Sequence, residues 1–202
     1  MFFWYIKYIR KEIDFMRVIS GKYRGRMLKT IEGKNTRPTS ARLKEDIFNI
    51  LNNYFIFENK TSLDLFAGSG ALSIECLSRG IKFAYINDTY KQILPIIKEN
   101  LAKIDESNYK LSSIDYLSLL KYLDLNQKKI DLIFIDPPYG EIDYYNQALN
   151  YLKNSNLLNN YAIIVVECEK PIENEYINKF VLLKHKVFKN KNLYVLRLEN
   201  DS

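Results

Sequence analysis

Cysteine is scarce: the chain has only Cys76 and Cys168, far apart and each inside an apolar segment. They match no metal-ligand spacing, so no metal is expected, and their buried, unpaired character fits a reducing, cytoplasmic compartment. Long apolar runs are also lacking. The cluster MFFWY opens the chain, but Lys7, Arg10, Lys11 and Glu12 interrupt it well short of a membrane-spanning length, and no small-residue cleavage site follows. That excludes an anchor or a clear signal peptide and predicts no membrane partner. Met1–Phe15 is read instead as an extension, either preceding a biological start at Met16 or forming a short amphipathic helix. Repeats and low-complexity linkers are missing too, so 202 residues make one large domain, or one domain with a small appendage. A single histidine, His185, sits between Lys184 and Lys186 and is read as an exposed residue of an edge strand.

Positive charge is plentiful, and it is unevenly placed. The formal net charge is +6, and no acid falls between Arg17 and Lys29. From Met16 to Arg37, basic residues (Arg17, Lys22, Arg24, Arg26, Lys29, Lys34, Arg37) alternate with apolar or aromatic ones, while Gly21 and Gly25 permit tight turns. This pattern predicts a hairpin or extended arm with one basic side, suited to phosphates. Ser40 then reads as the N-cap of a helix to about Phe55, with Leu43, Ile47, Ile50 and Leu51 at helical spacing and Arg37, Arg42 and Lys44 near its start.

From Thr61 onward the pattern becomes strand, turn, helix, repeated. Strand-like runs at 62–66, 83–88, 109–113, 130–136 and 161–167 alternate with helical spacing at 71–79, 90–103, 116–123 and 143–153. Such alternation predicts an α/β fold, a mostly parallel sheet covered by helices on both sides. The last two apolar segments, FVLLKHKVF and NLYVLRL, have no helix between them and are expected to pair as an antiparallel hairpin, which brings the sheet to seven strands. Leu101 and Ile104 read as core.

Two constellations carry chemistry. In the turn Asp64-Leu65-Phe66-Ala67-Gly68-Ser69-Gly70, the two glycines let a ligand approach the backbone. A third glycine, which a dinucleotide fingerprint would want at Ser73, is lacking, and no Lys-Ser or Lys-Thr follows to make a phosphate loop. Asp88 ends the next strand and Asp115 follows the third, where they could accept ribose hydroxyls and an adenine amine. Three acids beside a glycine turn describe a pocket for an adenosine with a small polar tail. The second constellation is IDLIFIDPPYG, in which a buried strand ends in Asp136, Pro137, Pro138 and Tyr139. Prolines stop the ladder, leaving a carboxylate, carbonyl oxygens and an aromatic face for a planar base bearing an amine. Glu167, after another strand, reads equally as a site residue or a surface acid.

FAGSGALSIECLSRG with IDPPYG resembles the S-adenosylmethionine-dependent amino-methyltransferases. With RVISGKYRGRML and TRPTSARLKEDIFNIL added, the chain is similar to the RsmD family of 16S rRNA guanine-N2 methyltransferases over about Met16–Leu198. That resemblance implies a Rossmann-like class I fold, S-adenosylmethionine as cofactor and 16S rRNA, within an assembling small ribosomal subunit or free, as partner; with no spare amphipathic face evident, a monomer is the default expectation. It also implies a division into an extension (1–15), a basic RNA-contacting unit (16–57) and a catalytic domain (58–202). By the same resemblance Asp136, Pro137, Pro138 and Tyr139 are catalytic, and Asp64, Phe66, Ala67, Gly68, Gly70, Asp88 and Asp115 hold the cofactor. Arg17, Lys22, Arg24, Arg26, Arg37 and Arg42 would contact RNA. One departure stands out: the family commonly has a Glu followed two places later by an Asp, where this chain has Asp88 and Tyr90. The alternatives are a DNA or RNA adenine-N6 methyltransferase and a non-catalytic RNA-binding protein on the same fold.

Overall fold

The basic arm folds as a two-stranded antiparallel hairpin, β1 (Ile13–Arg17) and β2 (Met27–Ile31), with Met16 opposite Leu28. Met16, Val18 and Leu28 face inward and are buried, which is why the basic residues between them are turned outward. The computed structural model of the protein describes residues 13–31, 41–188 and 191–199. Within them the hairpin begins at Ile13, so the expected boundary between residues 15 and 16 falls inside β1. Arg37 and the expected cap Ser40 lie outside the described residues.

Helix α1 (Ala41–Leu51) buries Leu43, Ile47, Phe48 and Leu51 along one stripe. Lys44, expected with Arg37 and Arg42 near the helix start, lies on that stripe too and is only 1% exposed. Its Nζ donates to the Arg17 carbonyl at 2.6 Å and to Glu75 Oε2 at 3.2 Å.

The main sheet is built from β3 (Thr61–Asp64), β4 (Phe83–Asn87), β5 (Tyr109–Ser112), β6 (Ile130–Ile135), β7 (Leu158–Cys168), β8 (Phe180–Phe188) and β9 (Lys191–Leu198). Their order is β5-β4-β3-β6-β7-β9-β8. The first five are parallel, and β9 runs antiparallel to both β7 and β8. The C-terminal hairpin therefore forms as expected, with its second strand, β9, lying inward next to β7. Edge strand β8 carries His185, exposed, its ring stacked on Tyr194 with centroids 4.1 Å apart.

Helices α2 (Ala71–Ser78), α3 (Leu94–Leu101), α4 (Tyr116–Leu125), α5 (Ile142–Asn154) and the short α6 (Asn174–Ile177) cover the sheet. Helix α3 starts four residues later than its spacing predicts, with Pro95 in its first turn, a position where the missing N–H costs nothing. Strand β6 is buried at every position. Its Leu132 and Phe134 face a core shared with α1, α2, α3 and the hairpin, and Ile133 and Ile135 a second core under α4 and α5. The chain leaves β3 toward β4 and β5, then returns to place β6 on β3's other side, so the strand order reverses between β3 and β6. In open α/β sheets, ligands bind at the carboxyl ends of strands at such a switch point.

The hairpin is fastened to this body by buried polar contacts. Glu75, on α2 and fully buried, accepts hydrogen bonds from the Ile19 N–H (2.8 Å), the Ser20 N–H (3.0 Å), Lys44 Nζ and Arg79 Nε (2.9 Å). Ser78 Oγ donates to the Ser20 carbonyl and accepts from the Tyr23 N–H. Gly21, at φ +81°, passes so close that a Cβ would lie 1.8 Å from the Ser78 carbonyl oxygen. Asn100 on α3 ties β2 to the glycine turn: its Nδ2 donates to the carbonyls of Lys29 (2.8 Å) and Ser69 (2.9 Å), and its Oδ1 accepts from the Lys29 N–H. No helix among the described residues is long and apolar enough to cross a membrane.

Candidate active site

A cleft of about 670 Å³ opens at the carboxyl ends of β3, β4, β6 and β7, under the hairpin. Phe66, Ala67, Gly68 and Ser69 line one side of it, Asp88, Thr89, Tyr90 and Ile93 another, and Asp136–Tyr139 a third. Gly68 and Gly70 have φ of +53° and +77°, the left-handed region that glycine enters without a Cβ penalty. A Cβ on Gly68 would meet nothing within 4 Å, so the backbone there is bare to the cleft.

Asp88 ties two loops together. Its Oδ2 accepts from the Gly68 N–H at 2.7 Å and its Oδ1 from the Tyr90 N–H at 2.8 Å. Burial raises its pKa, and the two N–H contacts partly offset the rise. Carboxylate oxygens each have two lone pairs, so Asp88 keeps acceptor capacity toward the cleft.

Asp64 and Gly70 do not line the cleft; both are buried beneath the turn. Asp64 Oδ2 accepts from Ser73 Oγ at 3.1 Å. That contact shows what the serine does where a dinucleotide motif would carry glycine. Asp64 Oδ1 lacks a hydrogen bond of normal geometry among the described residues. Burial pushes the Asp64 carboxyl up to about 7, Ser73 offsets part of the rise, and the charges of Asp136 and Asp88 add to it. Asp115 also stands off the cleft wall. It is the N-cap of α4, its Oδ1 accepting from the Ser118 N–H at 2.8 Å, which leaves Oδ2 outside the cap.

Strand β6 delivers Asp136 and Pro137, half-buried, then Pro138 and Tyr139 to solvent; Tyr139 is 76% exposed. The loop is braced from β7's side, where Glu169 Oε1 accepts the Gly140 N–H at 2.6 Å. Behind the glycine turn Phe66 packs on Tyr116 and Tyr144, centroids 5.2 and 6.1 Å away.

Several cleft residues escaped the sequence reading: Met16 and Thr30 of the hairpin, Tyr90, Cys168, Glu169 and Lys191. Glu167, left open between two readings, is 5% exposed, lines the cleft and pairs with Lys191. Among the expected RNA contacts, Arg17, Lys22, Arg24 and Arg42 are exposed, whereas Arg26 is half-buried with its Nη1 inside and unpartnered among the described residues.

Residues 16–197 match the family described as Conserved hypothetical protein 95. Ribosomal RNA small subunit methyltransferase D of Haemophilus influenzae is 36% identical over 173 residues, covering 85% of this chain and 88% of that protein. The chain belongs to the RsmD family. Among solved structures, yhhF from Escherichia coli matches with a TM-score of 0.76 and 27% identity, over 92% of this chain and 99% of that one. SMU.776 complexed with SAH matches with a TM-score of 0.67 over 85% of this chain and 53% of that one. At 15% identity the latter likeness is one of fold. In this RsmD-family chain, Tyr90, where a second acid was expected, serves Asp88 through its backbone N–H and itself lines the cleft.

Proposed function

We propose that this cleft transfers a methyl group from S-adenosylmethionine to the exocyclic N2 amine of a guanine in small-subunit ribosomal RNA. The observation that carries the reading is one of position. Strand β6 sets the Asp136-Pro137-Pro138-Tyr139 sequence into the same cleft as the Gly68 turn and Asp88. The relatives' names and the SAH complex of a fold neighbour support the cofactor and the polymer.

The residues present fit the cofactor. Gly68, with no Cβ and open space before it, leaves room for the methionine end beside Phe66 and Ala67; Asp88 offers acceptors to a ribose diol; Tyr90 and Ile93 give an apolar wall for adenine. Asp115, whose Oδ2 lies outside the α4 cap, would be the acceptor for the adenine amine, while Asp64 and Gly70 support the turn from below. When bound, S-adenosylmethionine supplies a sulfonium methyl that is already a good electrophile, so the protein's task is positioning.

A guanine amine is a poor nucleophile because its lone pair is delocalised into the ring. Asp136 and the Pro137 carbonyl accept its two N–H bonds, which favours a pyramidal nitrogen and directs the lone pair toward the methyl. Tyr139, exposed in this structure, stacks on the base, a contact worth roughly 1–3 kcal/mol. Alignment of the reacting atoms supplies the larger share, roughly 7–11 kcal/mol in favourable intramolecular analogues. The proton leaves after transfer, to water or to Asp136, because the methylated ammonium is strongly acidic. The target nucleotide is unpaired or flipped out, at a cost of a few kcal/mol. Arg17, Lys22, Arg24 and Arg42 hold the flanking phosphates, with Arg37 assigned to the same role from sequence.

The test is a tritiated-methyl assay on small subunits, free 16S rRNA and duplex DNA, followed by nucleoside analysis. Label in N2-methylguanosine from an rRNA substrate is expected. Label in N6-methyladenosine, or none at all, rejects the reading.

A further inference from the structure

We propose that Glu167 and Lys191 read the Watson–Crick edge of the target base and make the site selective for guanine over other bases that carry an exocyclic amine. The inference rests on the guanine-N2 reading above and names the residues that enforce it.

Three neighbouring strands, β6, β7 and β9, bring Asp136, Glu167 and Lys191 to one end of the sheet. Residues alternate along each strand, and Leu132 and Phe134, Ile163 and Val165, and Leu193 and Val195 all belong to the core under the hairpin. By that alternation Asp136, Glu167 and Lys191 fall on the same face. All three line the cleft.

The polar atoms there are incompletely used. Glu167 is 5% exposed; its Oε1 is held by Lys191 Nζ, while its buried Oε2 has no hydrogen-bond partner among the described residues. Thr30 Oγ1, on the hairpin strand over the same cleft, is likewise buried and unpartnered. Buried polar atoms in folded proteins nearly always have partners, so a buried carboxylate oxygen left unpartnered in a residue that lines the cleft points to a ligand that donates to it.

Guanine offers the matching edge: the N2 amine donates, N1–H donates, and O6 accepts. Across the three strands the protein offers acceptor, acceptor and donor, in Asp136, Glu167 and Lys191. With the amine on Asp136, N1–H falls to Glu167 Oε2 and O6 to an N–H of the Lys191 ammonium, which carries three. A base with a lone pair at N1, such as adenine, would set that lone pair against the carboxylate. Sites built to hydrogen-bond one substrate discriminate strongly because an analogue leaves their buried polar groups unmatched.

Once the methylated nucleotide is mapped, splint ligation can place guanosine or 2-aminopurine riboside there. The analogue keeps the 2-amine but has a lone pair at N1 and hydrogen in place of O6. Wild-type kcat/KM should favour guanosine by about 100-fold or more. In Glu167→Gln the guanosine rate should fall and the guanosine to 2-aminopurine ratio should shrink at least about tenfold, because the amide can donate to N1 of the analogue. Lys191→Met should also shrink the ratio by weakening guanosine alone. Unchanged S-adenosylmethionine affinity by calorimetry shows that each variant is folded. A purely structural role would lower both substrates together, and an unchanged ratio in both variants overturns the proposal while N2-methylguanosine formation leaves the underlying reading intact. Wild-type label in N6-methyladenosine instead fails the underlying reading before any variant is made, and the proposal with it.

Discussion

Two glutamates are buried under the hairpin, and their surroundings differ. Glu75 is fully enclosed and receives four donors, two from the hairpin backbone and one each from Lys44 and Arg79. Glu167 receives Lys191 on one oxygen and nothing on the other among the described residues. A fully satisfied buried charge belongs to the fold: it fixes where the hairpin sits. A half-satisfied one at a cleft edge is kept at a cost to stability, and such costs gather where ligands bind. Asp64 belongs with Glu167, since it is buried beneath the glycine turn with one oxygen poorly partnered.

The contrast predicts graded consequences. Glu75→Ala leaves the Lys44 ammonium buried with one carbonyl partner and strips two backbone N–H groups, so a loss of about 3–5 kcal/mol is expected. Denaturant unfolding checks it, and a loss under about 1 kcal/mol would mean the clamp is not structural.

Asp64 should act in the opposite direction. Its carboxyl titrates near 7 when folded and near 4 when unfolded. The folded state therefore binds the extra proton between those values, and stability falls as pH rises from about 4 to about 7, with the full cost present above. Asp64→Asn should recover up to about 4 kcal/mol at pH 8 and flatten the fall. Equal pH profiles for the two proteins would contradict the assignment.

Glu167→Gln should cost less in folding than Glu75→Ala, about 1 kcal/mol, since the amide keeps the shape and its oxygen still accepts from Lys191, whose side chain is 25% exposed. A loss as large as that of Glu75→Ala would erase the distinction between the two sites. Smallest in folding energy is the exposed basic surface: replacing Lys22 and Arg24 together with alanine should leave the melting temperature unchanged. The same double change should reduce the salt slope of RNA binding by roughly 1.5, the loss of two phosphate contacts. A slope that stays the same would move the RNA elsewhere.

Much of this was legible from residues alone. The period of the apolar residues showed the parallel strands and their helices, and DPPY and the glycine turn marked the cleft, because those signals are local. What escaped depends on which distant residues meet. Lys44 reads only as a basic residue near the helix start, yet its helix turns it onto Glu75, 31 positions away. Lys191 reaches Glu167 only because β9, rather than β8, lies against β7. Alternation tells which face of a strand is buried and leaves its neighbour undetermined, so residues alone do not decide the role of Glu167 and the sheet order does. Asp115 read as an open carboxylate because a cap and a ligand contact call for the same residue type at a strand-to-helix turn.

The most direct test of the site as a whole separates binding from transfer in Asp136→Ala. S-adenosylmethionine affinity by calorimetry should stay within a few-fold of wild type, because the proposal assigns the cofactor to Gly68 and Asp88, while methyl transfer to 16S rRNA falls by orders of magnitude. Equal loss of both, or transfer that survives the substitution, would contradict the assignment of Asp136 to the amine.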